Sequence, residues 1–209
     1  MDATLKSIPL QKEEVKMILE EILEIDVNDN ITYKVIDIKD IRKESEYGGF
    51  KLNILAMMEN LKVYLAIEFT TGDKITPREV EYNYNCQFEN KKIPILAYTL
   101  ETIIAEKYHA IIDKNVYNTR MKDFYDIYMI LNEKNDNIDK RILKQAIINT
   151  FKNRETPIIV EDIKEELEDL KMNISLKKLW QQYQLTAPYA KDIIFEDIFS
   201  ALEDITALL

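Results

Sequence analysis

Acidic and basic side chains are concentrated at the start of one predicted helix, NTRMKDFYDIYMIL, at residues 118–131. Asp123 and Asp126 are three residues apart, so both carboxylates can lie on one face of that helix. Lys122 is four residues before Asp126 and can pair with it, and Arg120 precedes both acids. The cluster is either an ordinary charged helix start, in which Asp123 interacts favourably with the helix dipole, or one part of an active site.

Two further charged residues interrupt predicted apolar surfaces. Glu68 ends a strand, VYLAIEF, that is apolar on both faces, and this pattern is typical of a strand covered on both sides. A carboxylate there needs a cation or a donor, unless it lies at the sheet margin and is partly solvated. Lys107 falls on the apolar stripe of a predicted helix, where it can reach solvent, pair with an acid or shift its pKa.

Together these residues suggest one kind of chemistry. A carboxylate on a strand, a lysine on one helix and an acid–base cluster on the next helix could converge on one cleft. Carboxylates bind Mg²⁺, and cations neutralise phosphate charge. We therefore predict a pocket for a metal-bound polyphosphate that contains Glu68, Lys107 and Asp123; the alternative is three unrelated structural features.

Hydrophobic periodicity predicts a sheet followed by helices. The predicted elements are helices at 11–23, 99–113, 120–133, 139–152, 158–184 (broken near Asn173) and 191–207, strands at 31–38, 50–58 and 62–69, and short extended pieces in VEYNYNCQF and IPILAY. A short connection around Asn60 predicts an antiparallel hairpin. The fold class is α+β, with a sheet domain over residues 1–98 and a helical region over 99–209.

The composition excludes several classes of site. The chain has 209 residues with one cysteine (Cys86) and one histidine (His109), which excludes an internal disulfide and a structural zinc site. Three glycines are too few for a glycine-rich phosphate loop. The sequence has no apolar run of about 18 residues and no signal peptide, so we expect a cytoplasmic protein without a membrane partner.

The net charge of −10 argues against nucleic acid at first, but its distribution is uneven. Residues 155–209 carry a net charge of −7, and the preceding residues carry only −3. The acidic C-terminal segment can therefore lie away from a functional cleft, or it can face a basic partner.

Several segments resemble the AbiEii/AbiGii toxin family of nucleotidyltransferases. The most specific are AYTLETIIAEKYHAII followed by NTRMKDFYDIYMIL, which resemble the family's AEK and R-x-K-D-(F/Y)-x-D motifs. VYLAIEFTTGDKITP resembles the strand of the third carboxylate with its Gly-Asp turn, and EYGGFKLNI resembles the strand entry before it. The resemblance covers roughly residues 1–155.

The resemblance implies a polymerase-β-like nucleotidyltransferase fold with a helical C-terminal portion. It also implies the toxin of a toxin–antitoxin or phage-defence pair, which would transfer nucleotides from a nucleoside triphosphate to RNA. The known substrate class is the tRNA 3′ end, the cofactor is Mg²⁺, and a cognate antitoxin is an expected partner.

The opening of the chain departs from the family pattern. MDATLKSIPL resembles the sequence at the end of and just after the family's R-x-T-x-D-x-D motif, so that Asp2 would be the second of the two Asp residues in that motif. The Gly turn and the first Asp are not in this sequence, and Gly48-Gly49 is instead expected to form a turn or bulge. We expect either a truncated form or a relative without catalysis, with a sheet edge that could pair in a homo-oligomer.

The site residues carried over from the resemblance divide into two groups. Asp2 and Glu68 are expected to hold Mg²⁺, and Glu68 to activate the attacking hydroxyl.

In the second group, Lys107 is expected to contact phosphate oxygens, with help from Arg120 or Lys122. Asp123 and, in support, Asp126 are expected to orient Lys107 or contact the incoming nucleotide.

Two readings compete with the enzyme. One is a non-catalytic relative that binds a protein such as an antitoxin, and the other is a helical module whose acidic end binds a basic protein. His109 is expected to be structural or exposed. Trp180 and the tyrosines are expected to lie in the core, and base stacking on an exposed tyrosine is the alternative.

Overall fold

The computed structural model describes residues 2–5, 11–41 and 48–209, without the side chain of Asp2. Parts of the opening segment and of EYGGFKLNI therefore lie outside the described residues. The chain divides into two compact units, Met1–Asp73 and Lys74–Leu209. The expected division at residue 98, where strands give way to helices, stays a prediction.

The first unit is a four-stranded mixed sheet with one helix. Its elements are β1 (Asp2–Thr4), α1 (Lys12–Leu23), β2 (Thr32–Ile41), β3 (Gly49–Met58) and β4 (Leu61–Thr70). The strand order is β1-β4-β3-β2, in which β1 runs parallel to β4 and the other pairs are antiparallel. The predicted hairpin around Asn60 is confirmed as the β3–β4 connection.

Strand alternation separates an apolar face from a polar face in this sheet. Val15 and Leu19 of α1 pack against a set of inward-facing residues. That set is Phe50, Leu52, Ile54 and Phe69. Lys51, Asn53 and Glu68 alternate with these residues and lie on the opposite face.

The expectation that β4 is covered on both sides is wrong. Residues 61–65 of β4 are exposed, and the side chain of Glu68 is 36% exposed. The alternative, a partly solvated carboxylate at the sheet margin, is the observed one. In the first unit, α1 packs on only one face of the sheet and does not cover the outer half of β4.

Gly49 is the first residue of β3 and is paired on both sides, so it does not form the expected turn or bulge. It pairs with Ile41 on one side and Thr70 on the other, and it is buried. A Cβ at this position would lie 2.6 Å from the carbonyl oxygen of Phe69, which is closer than real Cβ contacts come. Glycine is needed here because the neighbouring strand approaches too closely for a side chain.

The second unit begins with a β-hairpin and continues as helices. Its elements are β5 (Val80–Asn85), β6 (Lys92–Ala97), α2 (Leu100–Lys114), α3 (Met121–Lys134), α4 (Lys140–Asn153), α5 (Val160–Met172), α6 (Ile174–Thr186) and α7 (Phe195–Thr206). The predicted helix at 158–184 is indeed broken at Asn173, whose side chain accepts a hydrogen bond from the Leu176 amide and caps α6.

Helix α2 lies in the core of the second unit. Ile104, Tyr108 and Ile111 are fully buried among residues of the neighbouring helices. The Tyr108 hydroxyl lies 2.7 Å from the Thr206 hydroxyl on α7, and this hydrogen bond satisfies a polar group deep in the core. Trp180 is also buried, as the sequence predicted.

None of the helices in the described part of the chain combines the length and the apolar character that membrane crossing requires.

Candidate functional site

Lys107 of α2 is held between two carboxylates of α3. Its Nζ lies 2.8 Å from Asp123 Oδ1 and 2.7 Å from Asp126 Oδ2. The three-residue spacing puts both acids on the face of α3 that meets α2, as the sequence predicted. The apolar residues on the same stripe of α2 as Lys107 therefore pack in the core. The ammonium of Lys107 pairs with two acids at the edge of that core.

Two exposed cations complete the cluster. Arg120 Nε lies 3.2 Å from Asp123 Oδ2, and Lys122 Nζ lies 2.7 Å from Asp126 Oδ2. Three cations thus surround two carboxylates, which leaves the cluster with one net positive charge at neutral pH. All five residues that the sequence nominated in this region form one connected network.

Burial differs sharply between the acids and the outer cations. The Asp123 side chain is only 4% exposed, whereas Arg120 and Lys122 are 58% and 67% exposed. Burial by itself disfavours a charged ammonium, but the hydrogen bonds with Asp123 and Asp126 outweigh it and raise the pKa of Lys107 above its ordinary value. Lys107 therefore keeps its positive charge throughout the physiological range.

Asn118 sets the start of α3 and was missed in the sequence. Its side chain is fully buried; Nδ2 donates to the Ala110 carbonyl on α2, and Oδ1 accepts from the Arg120 amide at 2.8 Å. Asn118 thereby ties the first turn of α3 to α2 beside the ion cluster. An asparagine side chain that accepts from the amide two residues later forms an Asx turn, and the asparagine shortly before the helix is the signal that could have identified it.

The carboxylate of the first unit also has a cationic partner. Lys51 Nζ lies 3.1 Å from Glu68 Oε1, and the two residues are directly opposite each other on β3 and β4. Lys51 was missed because cross-strand partners follow from register, which the sequence does not give directly. On its other side, Glu68 is in register with Asp2 of β1, so the two Cα atoms are neighbours on parallel strands.

The described residues of the first unit offer part of a donor set for a divalent metal ion. Proteins commonly bind Mg²⁺ through one or two carboxylates together with substrate phosphates, and waters fill the remaining positions. Glu68 supplies one carboxylate and the register places Asp2 next to it, although the Asp2 side chain lies outside the described residues. Within the described residues, no three His, Cys, Asp or Glu side chains form a metal-binding group.

The structure brings the nominated residues together in two sets. Lys107, Arg120, Lys122, Asp123 and Asp126 form the ion cluster of the second unit. Asp2 and Glu68 are adjacent in the sheet of the first unit.

The described residues form an α+β protein in which a mixed sheet is followed by helices that carry a lysine–aspartate cluster. The family model described as "Nucleotidyl transferase AbiEii toxin, Type IV TA system" matches residues 1–203. The chain belongs to the AbiEii nucleotidyltransferase toxin family, and the match extends beyond the expected residue 155 into the C-terminal helices.

Two solved structures from one organism are similar to this chain. One is described as a candidate nucleotidyltransferase of H. pylori and the other is JHP933 of Helicobacter pylori; each is 16% identical with a TM-score of 0.35. Each covers 84% of this chain, which in turn spans 66% and 64% of theirs. No curated protein matches the sequence.

Proposed function

We propose that the protein transfers a nucleotide from a nucleoside triphosphate to RNA, with a tRNA 3′ end as the acceptor, and acts as the toxin of a type IV toxin–antitoxin system. Family membership supports the nucleotidyltransferase class, and implies an antitoxin and a nucleotide substrate. The observation that carries the proposal is the ion cluster, in which Lys107 is held by Asp123 and Asp126.

The cluster suits a polyphosphate for two physical reasons. An ammonium has three donors, and Asp123 and Asp126 accept two of them, so Lys107 retains one for a phosphate oxygen. The net positive charge and the exposed Arg120 and Lys122 favour an anion beside it. Because the carboxylates already orient the ammonium, little reorganisation is needed when the phosphate arrives.

The sheet acids serve the same reaction in this proposal. Asp2 and Glu68 would hold Mg²⁺, which when bound supplies charge neutralisation for the triphosphate and acidifies an attacking hydroxyl. The 3′-hydroxyl oxygen of the RNA attacks the α-phosphorus, a new P–O bond forms, and pyrophosphate leaves with the electrons of the broken bond. Glu68 accepts the hydroxyl proton.

The direct test is a transfer assay with purified protein, tRNA, Mg²⁺ and each labelled nucleoside triphosphate in turn. Lys107→Met keeps the apolar stem in its stripe and removes the charge and the phosphate contact. Because the variant also deprives the buried Asp123 of a partner, thermal unfolding is measured to show that it is folded at the assay temperature. We expect transfer to fall by roughly 100-fold, as for removal of one preorganised donor. Lys164→Ala, an exposed change on α5, is the control and should transfer as wild type does.

Triphosphate binding without metal is measured in parallel, because it depends on the cation cluster alone. Unchanged transfer and binding in Lys107→Met would refute the role of the cluster. Intact triphosphate binding with no transfer to any RNA would favour the non-catalytic, partner-binding alternative.

A further inference from the structure

Three tyrosines from separate segments form an aromatic cluster in the second unit. The Tyr125 ring of α3 lies 4.8 Å from the Tyr189 ring and 6.2 Å from the Tyr183 ring of α6, measured between centroids. Tyr183 in turn lies 5.4 Å from the buried ring of Trp180. The aromatic cluster therefore runs from the core to the surface.

Tyr189 is the outermost member of the aromatic cluster. Its side chain is 61% exposed, and its hydroxyl shares a hydrogen bond with the Tyr183 hydroxyl at 3.1 Å. An aromatic ring of this size exposed to water leaves a large apolar area that a flat partner can cover.

The segment that carries Tyr189 is fixed in place. Gln184 Nε2 lies within 3.1 Å of the carbonyl oxygens of Ala190, Lys191 and Ile193, which share its two N–H donors. The Trp180 indole N–H also donates to the Ile193 carbonyl at 3.3 Å. These bonds span the turn after Tyr189, so little conformational entropy is lost when its ring is covered.

The aromatic cluster adjoins the ion cluster along α3. Tyr125 is next to Asp126 in sequence and three residues after Lys122, a spacing that makes Lys122 and Tyr125 neighbours on the helix surface. Burial chiefly, with smaller effects of Tyr189 and Asp126, raises the pKa of Tyr183, so its hydroxyl stays neutral at physiological pH. The negative charge of Asp126 is met by Lys107 and Lys122.

We propose that Tyr189, supported by Tyr125 and Tyr183, stacks on a nucleobase of the single-stranded end of the RNA acceptor, while Lys122 and Arg120 meet an adjacent phosphate. Exposed aromatic rings beside exposed cations are the combination by which proteins bind single-stranded nucleic acid. A nucleotide presents a flat base and an anion only a few ångströms apart. Lys122 and Tyr125 are neighbours on α3, and the Tyr125 ring lies 4.8 Å from the Tyr189 ring. The inference rests on the proposed function in taking RNA as the acceptor.

The test measures binding of a fluorescent single-stranded RNA of about eight nucleotides, without triphosphate or metal, by anisotropy. Tyr189→Leu removes the ring and should weaken binding by between about 5-fold and 150-fold, the range for loss of one stacked base. Tyr189→Phe keeps the ring and loses only the hydroxyl bond, so its affinity should stay within about twofold of wild type. Tyr82→Leu, at an exposed tyrosine of β5, is the matched control.

A second RNA separates stacking from charge. On an abasic strand of equal length, Tyr189→Leu should bind as tightly as wild type, because no base remains to stack. Equal losses on both strands, or no loss on the ordinary strand, would overturn the proposal. An effect of Tyr189→Leu on triphosphate binding alone would also overturn it, because the base would then belong to the incoming nucleotide.

The outcomes also separate this site from the transfer reaction. RNA binding that depends on Tyr189 without any nucleotide transfer would refute the reaction and leave the stacking site standing. Transfer that is indifferent to Tyr189→Leu would refute the stacking site and leave the reaction standing. Thermal unfolding of Tyr189→Leu shows that a loss of binding does not come from unfolding.

Discussion

Lys107 of α2 and Asp123 of α3 form an ion pair, and the carboxylate of Asp123 is almost entirely removed from solvent. The Nζ–Oδ1 distance is 2.8 Å, and only 4% of the Asp123 side chain is exposed. A carboxylate so buried is tolerated only because it is paired, and here Lys107, Arg120 and its own helix dipole all compensate it. The pair therefore contributes to how α2 and α3 meet as well as to the charge of the site.

Replacing Asp123 by Asn should destabilise the protein more than replacing Asp126 by Asn. The amide keeps the shape of the carboxylate but removes the charge, so the ammonium of Lys107 is left with one anionic partner. We expect a loss of about 1–3 kcal/mol in the free energy of unfolding for Asp123→Asn, and less for the more exposed Asp126. Urea unfolding measures both, and Asp169→Asn on the exposed surface of α5 is the control; an equal effect at all three positions would contradict the prediction.

Removing the Lys51 charge should strengthen divalent-metal binding at Glu68. The ammonium lies 3.1 Å from Glu68 Oε1 and competes with a cation for that oxygen. Because the pair is partly exposed, we expect Lys51→Met to tighten Mn²⁺ binding by no more than about fivefold. Calorimetry with Mn²⁺ tests this, with Glu68→Gln to abolish binding and Lys62→Met, farther along the same sheet face, to leave it unchanged. Weaker binding in Lys51→Met would show that the lysine supports the site.

Glu166 of α5 should cost the protein stability at neutral pH. Its Oε2 is buried without a hydrogen-bond partner among the described residues, and burial, with a smaller effect of Asp162, raises its pKa. A raised pKa means that the folded state holds this proton more tightly than the unfolded state. The stabilisation that this proton provides is fully present below pH 4.5, the ordinary pKa of a glutamate. It is lost as the pH rises through the higher pKa of Glu166 in the folded state.

Glu166→Gln removes this titration. The variant should be more stable than wild type at pH 7 by about 1 kcal/mol, with the difference disappearing near pH 4. Chemical unfolding at the two pH values measures it, and Glu165→Gln at the exposed neighbouring position is the control. A gain of the same size at both pH values would contradict this account.

His109 should make the fold sensitive to mild acid. The ring is buried against Phe151 with Nε2 2.8 Å from the Thr156 hydroxyl, and burial lowers its pKa despite the opposing charge of Asp113. A lowered pKa favours the neutral ring in the folded state. The stabilisation from the neutral ring is therefore fully present above pH 6.5, the ordinary pKa of histidine. It falls as the pH drops towards the lower pKa of His109 in the folded state, because the unfolded chain takes up the proton first.

Since His109 is the only histidine, its ring protons give a single set of signals in an NMR titration. We expect a midpoint below pH 6.5, and a smaller drop in unfolding free energy between pH 7.5 and 5.5 in His109→Gln than in wild type. A midpoint at or above 6.5 would contradict the prediction.

The helices and the hairpin could be predicted because their signals are local. The break at Asn173 and the turn at Asn60 depend on residues close in sequence, and the pairing of Lys122 with Asp126 follows from their spacing on one helix. What could not be predicted depends on distant segments. The apolar pattern of β4 does not reveal whether a second layer covers the sheet, so the sequence left open whether Glu68 is buried or partly solvated.

Lys51 and Tyr189 were missed for the same reason. The partner of Lys51 follows from strand register, and the environment of Tyr189 is built by α3, α6 and the turn after it. Neither arrangement has a signature within one stretch of sequence.

The close approach at Gly49 has a consequence for everything assigned to Glu68. Phe69, whose carbonyl would meet a Cβ at position 49, directly follows Glu68 in β4. A methyl group there would force the two backbones apart or slide one past the other, and either shift would carry the adjacent acid away from Asp2. The position of the Glu68 carboxylate beside β1 thus depends on the absence of a side chain at Gly49, which lies two strands away in β3 and takes no part in the chemistry.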